Sequence, residues 1–79
     1  MKFYHKGDRE RAHYHAVARE YTIVASGRFR MADVHLGAGD IMELAPGDVA
    51  DFECLEDGVT FVIKTPSVSD DKILVADPE

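Results

Sequence analysis

Residues 7 to 27 read GDRERAHYHAVAREYTIVASG, and the fold is decided here, by the placing of Gly7, His13, His15, Glu20 and Gly27. On a strand, successive side chains alternate faces, so His13 and His15 project together while Tyr14 projects the other way. Glu20 follows a turn later and can join them. Two imidazoles and one carboxylate suit a first-row divalent metal and leave coordination positions open.

Outward from this stretch the chain reads as short strands separated by turn signals. Lys2–Lys6 is a possible opening strand, and Ala12–Val17 carries the two histidines. Tyr21–Ala25 is rich in β-formers and ends at the turn dipeptide Ser26-Gly27, after which Arg28–Met31 returns as the second arm of a hairpin. Val34–Leu36 leads to a turn at Gly37–Asp40, Ile41–Leu44 to another at Ala45–Asp48, and Val49–Leu55 to an acidic turn at Glu56-Asp57-Gly58. Val59–Ile63 is an apolar run stopped by Pro66, and Lys72–Val75 either adds a last strand or drapes across the surface. Gly7, Gly27, Gly39 and Gly47 read as turn residues that permit positive φ. No stretch longer than about ten residues has helical periodicity, and many short, evenly spaced strands predict an all-β sandwich or barrel.

The chain has 79 residues, one domain over 1–79 with residues 66–79 as a C-terminal extension. A domain this small buries only about 60% of its unfolded surface, so a partner subunit or a bound ion is expected to supplement the core. Hydrophobic content of 46% and charged content of 30% argue for a folded globular chain. No apolar run approaches the roughly 18 residues of a membrane span, and no signal-peptide pattern follows Met1. Cys54 is the single cysteine, which excludes an internal disulfide and suits the cytoplasm.

The net charge of −6 is unevenly spread: residues 1–30 hold seven basic and three acidic side chains, residues 31–79 two basic and twelve acidic. Such asymmetry can steer an anionic ligand or hold two subunits together, although a solvated surface of mixed charge explains it as well. An acidic chain whose arginines are not interleaved with an aromatic platform is not expected to bind nucleic acid.

These residues resemble the first motif of the cupin superfamily: glycine, five residues, His-x-His, three or four residues, glutamate, six residues, glycine. Gly7, His13, His15, Glu20 and Gly27 match every spacing. Gly39-Asp40-Ile41 and Pro46-Gly47 resemble the opening of the second motif, so the likeness covers roughly residues 7–65 and is to the small single-domain cupins. The resemblance implies a small antiparallel β-barrel or jelly roll, with His13, His15 and Glu20 as metal ligands. There are two departures. Only eleven residues separate Gly27 from Gly39, so the intervening hairpin must be minimal. The histidine that closes the second motif is absent, and the register of Pro46-Gly47 and Phe52 puts Ala50 in its place. Asp51 is turned to the opposite face by the period of two, whereas Asp48 shares the parity of Ala50 and is the better substitute.

Other polar residues weigh less. His5 and His35 read as surface positions, Cys54 as an interior small hydrophobe, and Arg19, Arg28 and Arg30 as solvated hairpin charges. Tyr4, Tyr14 and Asp48 are open as proton acceptors, with nothing in the spacing to single one out. If Glu20, Thr22 and Val24 face a cavity, then Tyr21, Ile23 and Ala25 face outward, where an apolar strip predicts a homodimer. Three functions stay open. The first is a barrel that binds a small oxygen-rich ligand, through a divalent metal (Mn, Fe, Ni or Zn) and without an organic cofactor. The second is a metal-dependent isomerase or dioxygenase acting on a sugar or keto acid, and the third a structural dimer with a vestigial cavity.

Overall fold

In a computed structural model of the chain, residues 1–66 and 71–75 are described. Seven strands, all paired antiparallel, make up the regular structure of these residues: β1 Lys2–Tyr4, β2 Arg9–His15, β3 Arg19–Met31, β4 Val34–Gly37, β5 Ile41–Leu44, β6 Ala50–Thr65 and β7 Lys72–Leu74. No helix among them is long and apolar enough to cross a membrane. Residues 67–70 and 76–79 of the expected C-terminal extension lie outside the described residues, but Lys72–Leu74 pairs with β2 rather than draping over it.

Two long strands organise everything else. β3 and β6 pair along their whole lengths, from Arg19 opposite Thr65 to Met31 opposite Phe52. On the outer side of β3, β5 pairs with Glu20–Ile23 and β4 with Arg28–Met31. On the outer side of β6, β1 pairs with Gly58–Thr60, and β2 with Ala50, Phe52 and Glu53. The sheet thus has two halves: β5, the start of β3, the end of β6 and β1 in one, and β4, the end of β3, the start of β6, β2 and β7 in the other.

Here the sequence reading needs correction. Ser26-Gly27 and Glu56-Asp57-Gly58 are not turns between strands but bends inside β3 and β6, where the pairing register shifts between Val24 and Phe29. The cause is a close approach of backbones. A Cβ on Gly27 would lie 2.5 Å from the Asp57 carbonyl oxygen and 2.6 Å from the Gly58 Cα, and one on Gly58 would run into Ser26 and Gly27. Gly27 also holds a φ of 82°. Local composition signals a bend but not whether the chain reverses there; both strands bend together, which folds one half of the sheet over the other. The true hairpin is the expected minimal one: β3 reverses into β4 through Ala32-Asp33, with Ala32 at a φ of 52°.

The two halves enclose an alternating set of inward residues. Val24, Phe29, Met31, Leu36, Leu44, Ala50, Phe52 and Cys54 are buried, and Tyr4, Phe29 and Phe52 form an aromatic cluster with centroids 5.0–5.6 Å apart. Such pairs add about 0.5–1.5 kcal/mol each beyond the area they bury. On the other face Arg30 makes a two-pronged contact with Asp51, Nη1 to Oδ1 at 3.0 Å and Nη2 to Oδ2 at 3.1 Å, tying β3 to β6. The guanidinium holds the Asp51 carboxyl below its usual range.

Candidate functional site

His13 and His15 come from β2, and their shared parity turns both inward; each is only 4% exposed. Their rings meet edge to face with centroids 5.5 Å apart. Glu20 comes from the start of β3, in the opposite half of the sheet, and is buried at 5% exposure. One ligand atom from each of His13, His15 and Glu20 lies within 4.8 Å of the others. The bends in β3 and β6 fold together the two halves from which these ligands come.

The hydrogen bonds around the three residues are incomplete in an informative way. His13 Nδ1 is 3.1 Å from the Arg11 carbonyl, beside the bulge in β2, which suits an Nδ1–H donor and frees Nε2. His15 Nε2 is 3.3 Å from Glu20 Oε1. Glu20 Oε2 and His15 Nδ1 have no hydrogen-bond partner among the described residues although both are buried. An ionised carboxylate with a bare buried oxygen is costly. A cation between the imidazoles and the carboxylate relieves that cost, so the donor set fits a divalent metal in both chemistry and spacing.

Behind His15 stands Asp71, which the sequence reading missed. It is buried, and its Oδ2 lies 3.9 Å from His15 Nδ1. Its carboxylate accepts the Ala18 N–H at 2.8 Å and the Val17 N–H at 2.9 and 3.2 Å. Those backbone donors, with His15 as a lesser contributor, hold the Asp71 carboxyl below the ordinary value of 3.8. A carboxylate behind the far nitrogen of a metal-ligating histidine is the usual way such a ring is oriented.

Ala50 is buried directly opposite His13 on the neighbouring strand, so the missing fourth ligand is a methyl group facing the site. Asp48 does not replace it: it is exposed, and its carboxylate closes its own turn by accepting the Ala45 N–H at 2.9 Å. Cys54 is buried, as its parity requires; its thiol donates to the Glu56 carbonyl, and burial pushes its pKa up, which keeps it protonated. His5 and His35 are exposed. Tyr4 donates its hydroxyl to Glu10 Oε2 at 2.6 Å, and burial, reinforced by Glu10, raises its pKa well above 10, so it holds its proton. Tyr14 is half-buried and turned away from the two histidines by strand parity. Arg19, Arg28 and Arg30 pair with Glu43, Glu56 and Asp51.

A cavity of ≈ 160 Å³ opens beside the cluster, with Tyr4, Met31 and Phe52 among its apolar walls and Thr22 and Thr60 as polar ones. A solved structure of an uncharacterised conserved protein with a double-stranded β-helix domain, from Klebsiella pneumoniae, superposes on this chain with a TM-score of 0.80 at 24% sequence identity. The match covers 91% of the present chain and 64% of that one. The fold is a double-stranded β-helix, the cupin-type barrel. No protein-family model and no curated protein matches the sequence. The cupin-type barrel therefore stands on backbone geometry, while what it binds must be argued from its own residues.

Proposed function

We propose that this cupin-type barrel binds a small oxygen-rich ligand through a divalent metal held by His13, His15 and Glu20. One observation carries the reading: the buried Glu20 carboxylate, in contact with His15 Nε2, keeps a buried oxygen with no hydrogen-bond partner among the described residues. Mn, Fe, Ni and Zn are all compatible with two imidazoles and a carboxylate. Such a metal supplies Lewis-acid polarisation of a bound oxygen. The chain's own residues do the rest. Asp71 places a carboxylate behind His15, the Arg11 carbonyl orients His13, Phe52 and Met31 form an apolar wall, and Tyr4 is a fixed hydroxyl committed to Glu10. A tyrosine that holds its proton this firmly is a poor base.

The outer face of the cupin-type barrel supports a homodimer. Ile41, Ile23 and Phe61 lie side by side across three strands, with Tyr21 opposite Ile63 beside them, and Ile41, Phe61 and Ile63 are exposed. The single free cysteine fits a reducing compartment, the cytoplasm.

The reading is tested by elemental analysis of protein purified without a metal-affinity tag and incubated with each metal in turn. One equivalent in wild type, lost in His13→Ala/His15→Ala, is expected. Wild-type protein that takes up none of the four metals would overturn it.

A further inference from the structure

The mouth of the cavity carries charge that the metal reading does not use. Residues directly opposite in an antiparallel ladder share a face. Lys2 stands opposite Thr60, Lys64 opposite Glu20 and Lys72 opposite His15. Three lysines from three strands are thus placed on the cavity side, and all three line its wall. Among the described residues only two carboxylates, Glu10 and Glu20, line it with them, in a chain whose net charge is −6.

Among the described residues these ammonium groups have one carboxylate, that of Glu10, within ion-pair distance. Lys2 Nζ is 4.0 Å and Lys72 Nζ 3.8 Å from Glu10, beyond hydrogen-bonding distance, and both share that one carboxylate with the Tyr4 hydroxyl. Lys64 has no ion-pair partner among the described residues. Among the described residues three ammonium groups therefore meet two carboxylates where the cavity opens, and this excess of positive charge attracts an anion.

We propose that the ligand is a small dicarboxylate, its outer carboxylate held among Lys2, Lys64 and Lys72 and its inner end directed to His13, His15 and Glu20. The inner contact rests on the metal reading above; the outer one does not. Size limits the ligand as well. A cavity of about 150 Å³ accommodates benzene, so ≈ 160 Å³ open at one end admits a chain of about four carbons.

The experiment is calorimetric titration with succinate, with its neutral diamide succinamide and with inorganic phosphate, the metal content of every sample being measured. The variants are Lys64→Gln, Lys64→Arg and the triple K2Q/K64Q/K72Q. All three lysines are exposed, so the variants keep the fold. Succinate is expected to bind wild type and to weaken about threefold in Lys64→Gln and at least tenfold in the triple variant, with Lys64→Arg restoring it. Metal content should not change, and succinamide should bind weakly to all forms. Equal binding of succinate and succinamide, an unchanged triple variant, phosphate bound in preference to succinate, or no succinate binding would each overturn the proposal while leaving the metal reading standing. Lysine-dependent succinate binding by protein that takes up no metal would instead uphold the lysine rim and overturn the metal reading.

Discussion

Replacing Gly58 with alanine tests whether the paired bend in β3 and β6 builds the site. The added Cβ would run into the Ser26 carbonyl oxygen and sit 2.8 Å from the Gly27 Cα and 2.9 Å from the Ser26 carbonyl carbon. All three obstacles are backbone, and the strand that carries them is itself fixed by pairing on both sides. Overpacking a core with side chains that can shift costs about 1–3 kcal/mol, so a clash with backbone should reach about 3 kcal/mol or more. A chain of this length has about 4–12 kcal/mol in all, and about 3 kcal/mol lowers its melting temperature by roughly 12–24 °C. Gly37→Ala is the control, because a Cβ there meets nothing closer than the Asp40 carboxylate at 4.0 Å. It should be neutral or stabilise by up to about 1 kcal/mol, since it restricts the unfolded chain. Urea titration followed by far-ultraviolet circular dichroism measures both. A Gly58→Ala protein within about 1 kcal/mol of wild type would refute the close-packed bend, because overpacking at that site could not then be severe.

Asp71→Asn should weaken metal binding by about 10–100-fold, measured by competition with a chelator, because the group behind His15 is lost. The same carboxylate predicts an acid response. Its pKa is lowered on folding, so its contribution to stability is complete above about pH 4 and lost as pH falls below the ordinary 3.8 towards its folded value. Melting temperature followed from neutral pH into acid should fall less steeply in Asp71→Asn than in wild type. Light scattering should give twice the chain mass, and Ile41→Glu/Phe61→Glu, which places charge on the exposed apolar face, should give a monomer.

Much of the candidate site is legible in the sequence, because its information is local. His13, His15 and Glu20 lie within eight residues, and strand parity alone puts the histidines on one face. Parity also placed Cys54 inside with Ala50 and Phe52, and Glu20, Thr22 and Val24 inside opposite Tyr21 and Ile23, as the burial of each residue bears out. What stayed hidden depends on distant partners. Gly27 and Gly58 look like ordinary turn glycines until each is seen to be the other's neighbour. Asp71 reaches the site across more than fifty residues of chain, with no local pattern to mark it. Lys64 ends an apolar run of undetermined facing, and only the ladder that sets it against Glu20 turns it towards the cavity. Asp48 was misjudged because parity says which way a side chain points but not that a turn will claim its carboxylate.

His13, His15 and Glu20 are proposed to hold one metal ion. An anomalous-difference map from crystals grown with manganese or zinc tests it most directly. One strong peak is expected about 2.0–2.2 Å from an imidazole nitrogen of each histidine and from a Glu20 carboxylate oxygen. A map with no peak there at full metal saturation, or with its peak on the exposed carboxylates instead, would contradict it.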